Sequence, residues 1–366
     1  MTELLRLTDL SDDATDFGRY ATITAWQQLL FLTYIALREA ATAFPRDLVR
    51  ALKTPPLPML RLEPGIRPDP EATRIALYVH YSASGRISEM VRFQLEGLRQ
   101  LGFSLVFVSM ADPIPDEDWQ AVRALAALVV QRPNFGLDFG AWRDLLPEIH
   151  LRWPVVDELL LANDSILGPI YPLGPAIETM RAAGPGLFGL TESLQGSPHL
   201  QSYMLLARGV PAVEDLMYFV RTLYVSSSKW ILVRMGEIRL SRWMRRRGHR
   251  VAALFGYKRV VQAAVADPEE VRRLKLVYRK LGNLDQLSNA DAVAALHRWP
   301  LNPTHHLWRV LATRFNCPFL KTELIVRNPA GLPGVSDWEA VVPADSPCSI
   351  PLIHAHLSTL APYQSA

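Results

Sequence analysis

The chain has 366 residues, 49% of them hydrophobic and 20% charged, with a formal net charge of +3. That length holds a sizeable core and about two to three units of ordinary domain size, and so small a net charge gives a nucleic-acid partner no footing. Its two cysteines, Cys317 and Cys348, cannot build a disulfide framework and no CxxC occurs, so a reducing, cytoplasmic compartment is the simpler expectation.

The first twenty residues carry Glu3, Asp9, Asp12, Asp13 and Asp16 without an apolar run, so they do not read as a signal peptide. "WQQLLFLTYIALREAATAF" (26–44) is apolar but interrupted by Gln27, Gln28, Arg38 and Glu39. It is too short and too polar to span a bilayer, which takes about 20 mostly apolar residues. Two readings stand for this helix: it docks on the rest of the protein, or it lies on a membrane surface, peripheral on the cytoplasmic face of the inner membrane. Residues 1–44 are thus expected as a helical segment. Residues 45–72, rich in proline and basic side chains, are expected as an extended linker or surface-hugging arm, because proline fixes φ and removes donors.

From residue 73 the rhythm alternates. "RIALYVHY" (74–81) predicts a buried strand, and "RISEMVRFQLEGLRQLG" a helix capped at its C-terminus by Gly102. "FSLVFVS" (103–109), "ALVVQ" (127–131) and "DELLLAN" (157–163) predict further strands. "DEDWQAVRALA" (116–126) and "AWRDLLPEI" (141–149) predict the helices between them. "GLFGLTES" (186–193) reads as another strand, a further one begins in "PHLQSYMLLARG" (198–209), and residues 210–250 and 265–300 look helical. Strand–helix alternation of this kind predicts an α/β fold, an open, Rossmann-like, mostly parallel sheet flanked by helices. The expected division is an α/β domain over 73–230 and a helical C-terminal part over 231–366. Ligands of such sheets bind beyond the carboxyl ends of the strands, so the loops after each strand are where chemistry is sought.

In "NFGLDFGAW" (134–142) Gly136 and Gly140 flank Asp138 just after a strand. Asp138 either accepts hydrogen bonds from sugar or ribose hydroxyls or caps the helix that follows. In "NDS" Asp164 ends a strand on the ligand side, where a carboxylate can hold a divalent cation against phosphates. Asn163 and Ser165 can add hydrogen bonds, and an Asx-type turn into Gly168-Pro169 is the competing reading. Glu192 is a candidate general base after the 186–193 strand, with His199, Gln201 and Ser202 close behind, against a reading of all four as loop polars. Glu237 is either a carboxylate in an acceptor cleft or an exposed partner for Arg234 or Arg242. The run Arg242, Arg245, Arg246, Arg247, Arg250 is a solvated face, a pyrophosphate contact or a lipid-headgroup contact. Lys321 either neutralises a diphosphate or is a surface lysine. His305 and His306 are adjacent and so make a poor metal pair. GxGxxG, Walker A, GxSxG and HExxH are all absent, which removes support for dehydrogenase, P-loop, serine-hydrolase and zinc-peptidase chemistry.

Taken in order, "NFGLDFGAW", "LLLANDSILGPIYPL", "GLFGLTES" with "HLQSYMLL", "GEIRLSRWM", and "NPTHHLW" with "PFLKTELIVRNP" resemble the rhamnan synthesis protein F family, over about residues 74–330. The resemblance implies a GT-A-like glycosyltransferase. Its donor would be a nucleotide-sugar, dTDP-rhamnose or GDP-rhamnose, and its acceptor a growing glycan or lipid-linked oligosaccharide of a bacterial surface polysaccharide or lipopolysaccharide. Transfer is expected with inversion. On that reading Gly136, Asp138, Asn163, Asp164, Ser165, His199, Gln201 and Lys321 bind the donor, and Glu192 or Glu237 is the base, with Glu192 favoured by its position. "NDS" stands where such enzymes often carry DxD, so Asp164 is the single acid for a magnesium or manganese ion. The rival reading is a non-catalytic carbohydrate-binding or polysaccharide-assembly protein on the same fold.

Overall fold

The computed structural model describes residues 5–11, 23–53, 59–277 and 284–360. Their centre is a ten-stranded sheet. Its strands are β1 (Thr8–Asp9), β2 (Arg61–Pro64), β3 (Arg74–His80), β4 (Ser104–Ser109), β5 (Leu128–Gln131), β6 (Glu158–Asn163), β8 (Gly186–Ser193), β10 (Met204–Arg208) and β11 (Val251–Phe255), with β9 (His199–Leu200) paired to β8 alone; β7 (Ile166–Leu167) and β12 (Leu320–Lys321) form a separate ribbon. The order across the sheet is β1-β11-β8-β10-β6-β3-β4-β5-β2. β3 pairs in parallel with β4 and β6, β4 with β5, and β8 with β11; β10 runs antiparallel between β6 and β8, and β1 and β2 are antiparallel edges. The expected α/β fold with a mostly parallel sheet is what the chain adopts.

The strands read as unbroken apolar runs because both faces are covered. Along β3, Ile75, Leu77 and Val79 enter one core with Trp142, Leu145 and Phe219, while Ala76 and Tyr78 enter the other with Trp119, Leu95 and Phe255. β3 has β4 on one side and β6 on the other, so the crossovers leave it in opposite directions. The crevice beyond the carboxyl ends of β3 and β6 is therefore the topological switch point, where open α/β sheets hold their ligands.

Three stretches differ from the sequence expectation. The N-terminal helix runs Ile23–Lys53, passing through Pro45 into the stretch expected to be extended. Part of the remainder, Arg61–Pro64, does lie extended, as the edge strand on β5. The helix after β5 begins at Leu137, four residues ahead of Ala141, because Gly136 takes a left-handed φ of 76° and starts it. "VAALF" within the C-terminal part becomes β11, since pairing with β8 overrides the helix preference of its alanines. The expected Gly102 cap is present, at φ 84° with its N–H on the Arg99 carbonyl.

Candidate functional site

The Asn163-Asp164-Ser165 turn sits at the switch point. The Asp164 N–H donates to the Val79 carbonyl at 3.1 Å, and the Tyr81 N–H donates to Asp164 Oδ2 at 2.7 Å. The carboxylate is therefore held between the ends of β3 and β6. His80 Nε2 lies 3.9 Å from the same oxygen, and 16% of the Asp164 side chain stays exposed. Burial pushes its carboxyl up to about 8; Asp138 adds to the rise, while the Tyr81 N–H and Lys321 oppose it. Asn163 is buried. Its amide donates to Asp138 Oδ2 at 2.6 Å, and its Oδ1 accepts from the Ser165 N–H at 3.1 Å and the Ser165 hydroxyl at 2.5 Å. The Asx turn is real, and it is also what aims Ser165 and links it to Asp138.

Lys321 arrives from far along the chain. β12 pairs antiparallel with β7, setting Lys321 opposite Ile166, and the Thr322 N–H donates to the Ser165 carbonyl. Lys321 Nζ then donates to Ser165 Oγ at 2.7 Å and stands 5.0 Å over the Tyr203 ring. Burial depresses its ammonium, against the pull of Glu237 and Asp138.

Asp138 lies in the first turn of the Leu137–Arg152 helix and does not cap it; Gly136 holds the cap position without a side-chain bond. Burial raises the Asp138 carboxyl to about 6, opposed by Lys321 and reinforced by Glu237. Gly136 is accounted for by packing: a Cβ there would fall 1.9 Å from Val225 Cγ1. The buried Arg132 braces the same loop, donating to the Phe135 carbonyl at 3.1 Å and to Asp144 Oδ2 at 2.7 Å.

Glu237 comes from a π-helical segment, Val233–Ile238, that interrupts the helical run from Lys229 to Arg246. Such widened turns are frequent at functional sites. Its Oε1 accepts the Ser202 N–H at 2.7 Å, and its charge is felt by both Lys321 and Asp138. Asp138, Asp164, Ser165, Ser202, Glu237 and Lys321 all keep a solvent-facing edge.

Other expected site residues are committed elsewhere. Glu192 is 1% exposed; its two oxygens accept the N–H groups of Ser11 and Tyr257, each at 2.8 Å, so it anchors the β1 edge and the start of the Tyr257–Val265 helix. Position after a strand favoured Glu192 as the base, and the geometry turns its carboxylate to backbone groups instead. His199 is buried with Nδ1 2.7 Å from the Ser197 carbonyl. Gln201 accepts from Thr191 and donates to Asn302 and Thr304, which docks the "NPT" turn on the sheet. In the basic run, Arg242 meets Ser197, Arg245 the Ser11 carbonyl, Arg247 Asp215, and Arg250 Asp9. These bonds tie the N-terminal strand and neighbouring loops to the body.

Four residues that the sequence did not single out as site residues adjoin the cluster: His80, Tyr203, Glu323 and Lys229. His305 joins them; burial lowers it to about 4, and Glu323 and Lys321 act on it. Lys229 lies 3.4 Å from Glu323. His80 alone carried a local signal, as a polar residue at the tip of the strand later found central.

Residues 105–262 match the model of the Rhamnan synthesis protein F family, which bears out the resemblance over that stretch. The chain is 26% identical over 200 residues to "Uncharacterized protein y4gN" of Sinorhizobium fredii (strain NBRC 101917 / NGR234), covering 53% of this chain and 51% of that one. It is also 26% identical over 212 residues to "Virulence protein VirA" of Vibrio anguillarum (strain ATCC 68554 / 775), covering 56% of this chain and 64% of that one. The match thus spans less than two thirds of either relative. A solved structure from Desulfovibrio desulfuricans G20, described as a "putative nucleotide-diphospho-sugar transferase", shows a TM-score of 0.31 and 13% identity, over 61% of this chain and 97% of that one.

Proposed function

We propose that the chain is a glycosyltransferase of polysaccharide synthesis, moving a sugar from a nucleoside-diphosphate donor to a glycan hydroxyl, with rhamnose as the donor sugar. The observation that supports this reading is the meeting of Asp164, Ser165 and Lys321 with Asp138 and Glu237 at the switch point. Lys321, positioned by the Ser165 hydroxyl that accepts one of its hydrogens, faces the diphosphate and stabilises the negative charge that grows on it as the sugar–oxygen bond breaks. Asp138, fixed by Asn163, accepts hydrogen bonds from sugar hydroxyls. Glu237 accepts the proton of the acceptor hydroxyl as that oxygen attacks the anomeric carbon from the face opposite the diphosphate, which inverts the centre. This assigns the base to Glu237, since both Glu192 oxygens are engaged.

No group of three metal-ligating side chains occurs among the described residues. The donor set fits magnesium in the form that takes one or two carboxylates and completes its shell from substrate phosphates and water. Asp164, with Asp138 beside it, would hold such an ion, which when bound neutralises the leaving diphosphate. Asp164 must release its proton to ligate, so affinity rises with pH towards about 8.

Thermal shift with UDP, dTDP, GDP and CMP, with and without magnesium, tests donor binding. Incubation with dTDP-rhamnose or GDP-rhamnose and a lipid-linked acceptor tests transfer. No stabilisation by any nucleotide overturns the reading. Binding without turnover returns the protein to the non-catalytic assembly role.

A further inference from the structure

Among the described side chains, those of the Ile23–Lys53 helix that hold the body lie on one face. Asp47 accepts from the Tyr224 hydroxyl and the Ser227 N–H, each at 2.9 Å. Glu39 accepts from the Ser228 hydroxyl at 2.8 Å, Ala43 is buried, and Arg50 lies 4.2 Å over the Phe135 ring. These four recur at spacings of four, four and three, as one side of a helix requires.

Among the described side chains, the opposite side is apolar and uncovered. Leu30, Leu37 and Phe44 are seven residues apart and 65%, 66% and 57% exposed. Tyr34, Ala41 and Leu48 form a second row, also seven apart and all exposed. Interleaved, the rows alternate steps of four and three, the a/d pattern of a coiled-coil seam. Pro45 falls outside both rows. Val49 and Leu52 border the seam at 49% and 79% exposure.

We propose that this seam is a self-association surface, covered by the same helix of a second copy of the chain. Two arguments select that occupant. The seam is a narrow stripe of two heptad rows, as a helix partner needs, rather than the broad apolar face of a helix packed on a larger apolar surface. Its seven exposed large side chains, at roughly 150–250 Å² for a large side chain, leave on the order of 800 Å² uncovered, about what each partner gives to a stable interface. A two-fold pairing is self-complementary and leaves no apolar stripe over. The inference is independent of the transferase reading.

Sedimentation velocity of the full chain over a wide concentration range is expected to show a monomer–dimer equilibrium. Leu37→Asp combined with Leu48→Asp should weaken it roughly 100-fold or more, with unchanged circular dichroism. Ala41→Cys, near the middle of the seam, should form an intermolecular disulfide on mild oxidation, since Cys317 and Cys348 are buried; this variant keeps the test decisive if the double variant misfolds. A chain that stays monomeric and does not cross-link overturns the proposal. So does a monomer that co-sediments with phosphatidylglycerol vesicles through Leu37 and Leu48, because the seam would then face lipid.

Discussion

Replacing Asp164 by asparagine should stabilise the fold at neutral pH while abolishing transfer. In the folded chain burial lifts this carboxyl from 3.8 to about 8. Over that window the folded state keeps a proton that the unfolded chain releases. A raised carboxyl contributes no penalty below pH 3.8; above it, stability falls by about 1.4 kcal/mol per pH unit until the folded group itself ionises near pH 8. Between pH 5 and pH 7 the loss from this one group is about 2.7 kcal/mol. Asparagine still offers a carbonyl oxygen to the Tyr81 N–H and does not titrate. Urea unfolding of both chains across this range should therefore show the variant gaining on the wild type by about 2–3 kcal/mol from pH 5 to pH 7. A difference between the two that does not change with pH would refute the reasoning, because it would mean that Asp164 is as well solvated folded as unfolded.

Other outcomes follow from the same geometry. Lys321→Met should weaken nucleoside-diphosphate binding roughly 10- to 100-fold, the worth of one charge-assisted bond, read as a lost thermal shift. The Asp138 carboxyl should rise further above about 6 in that variant, because Lys321 holds it down. Glu237→Gln should lower kcat by about 100-fold or more with nucleotide binding retained; wild-type turnover in this variant would remove Glu237 as the base. Glu192→Gln should cost about 1–3 kcal/mol of stability, because its amide turns a donor towards a backbone N–H, with kcat per folded molecule unchanged. Gly136→Ala should destabilise by about 1–2 kcal/mol for the left-handed backbone alone, and by more for the clash of its Cβ with Val225 Cγ1 and the Gly140 backbone, read as a lowered urea midpoint.

The strands from β3 to β6 were legible because a buried parallel strand is an unbroken apolar run with loop residues at each end. That signal is carried by neighbours in the chain. Asn163-Asp164-Ser165 could be placed at a strand tip on the ligand side for the same reason. The reversed direction of β10, the pairing that makes a strand of "VAALF", and the π segment carrying Glu237 depend on partners distant in sequence. The sequence favours Glu192 over Glu237 as the base by its place after a strand; backbone N–H groups from Ser11 and Tyr257 claim both Glu192 oxygens, and a solvent-facing edge leaves Glu237 available. Lys321 and Ser165 are 156 residues apart, and only the β7–β12 ribbon brings them to 2.7 Å. The raised carboxyls of Asp138 and Asp164 belong to the same class. Residue type and spacing set which groups are present, whereas their charge states follow from burial, which is summed over atoms that only the folded chain brings together.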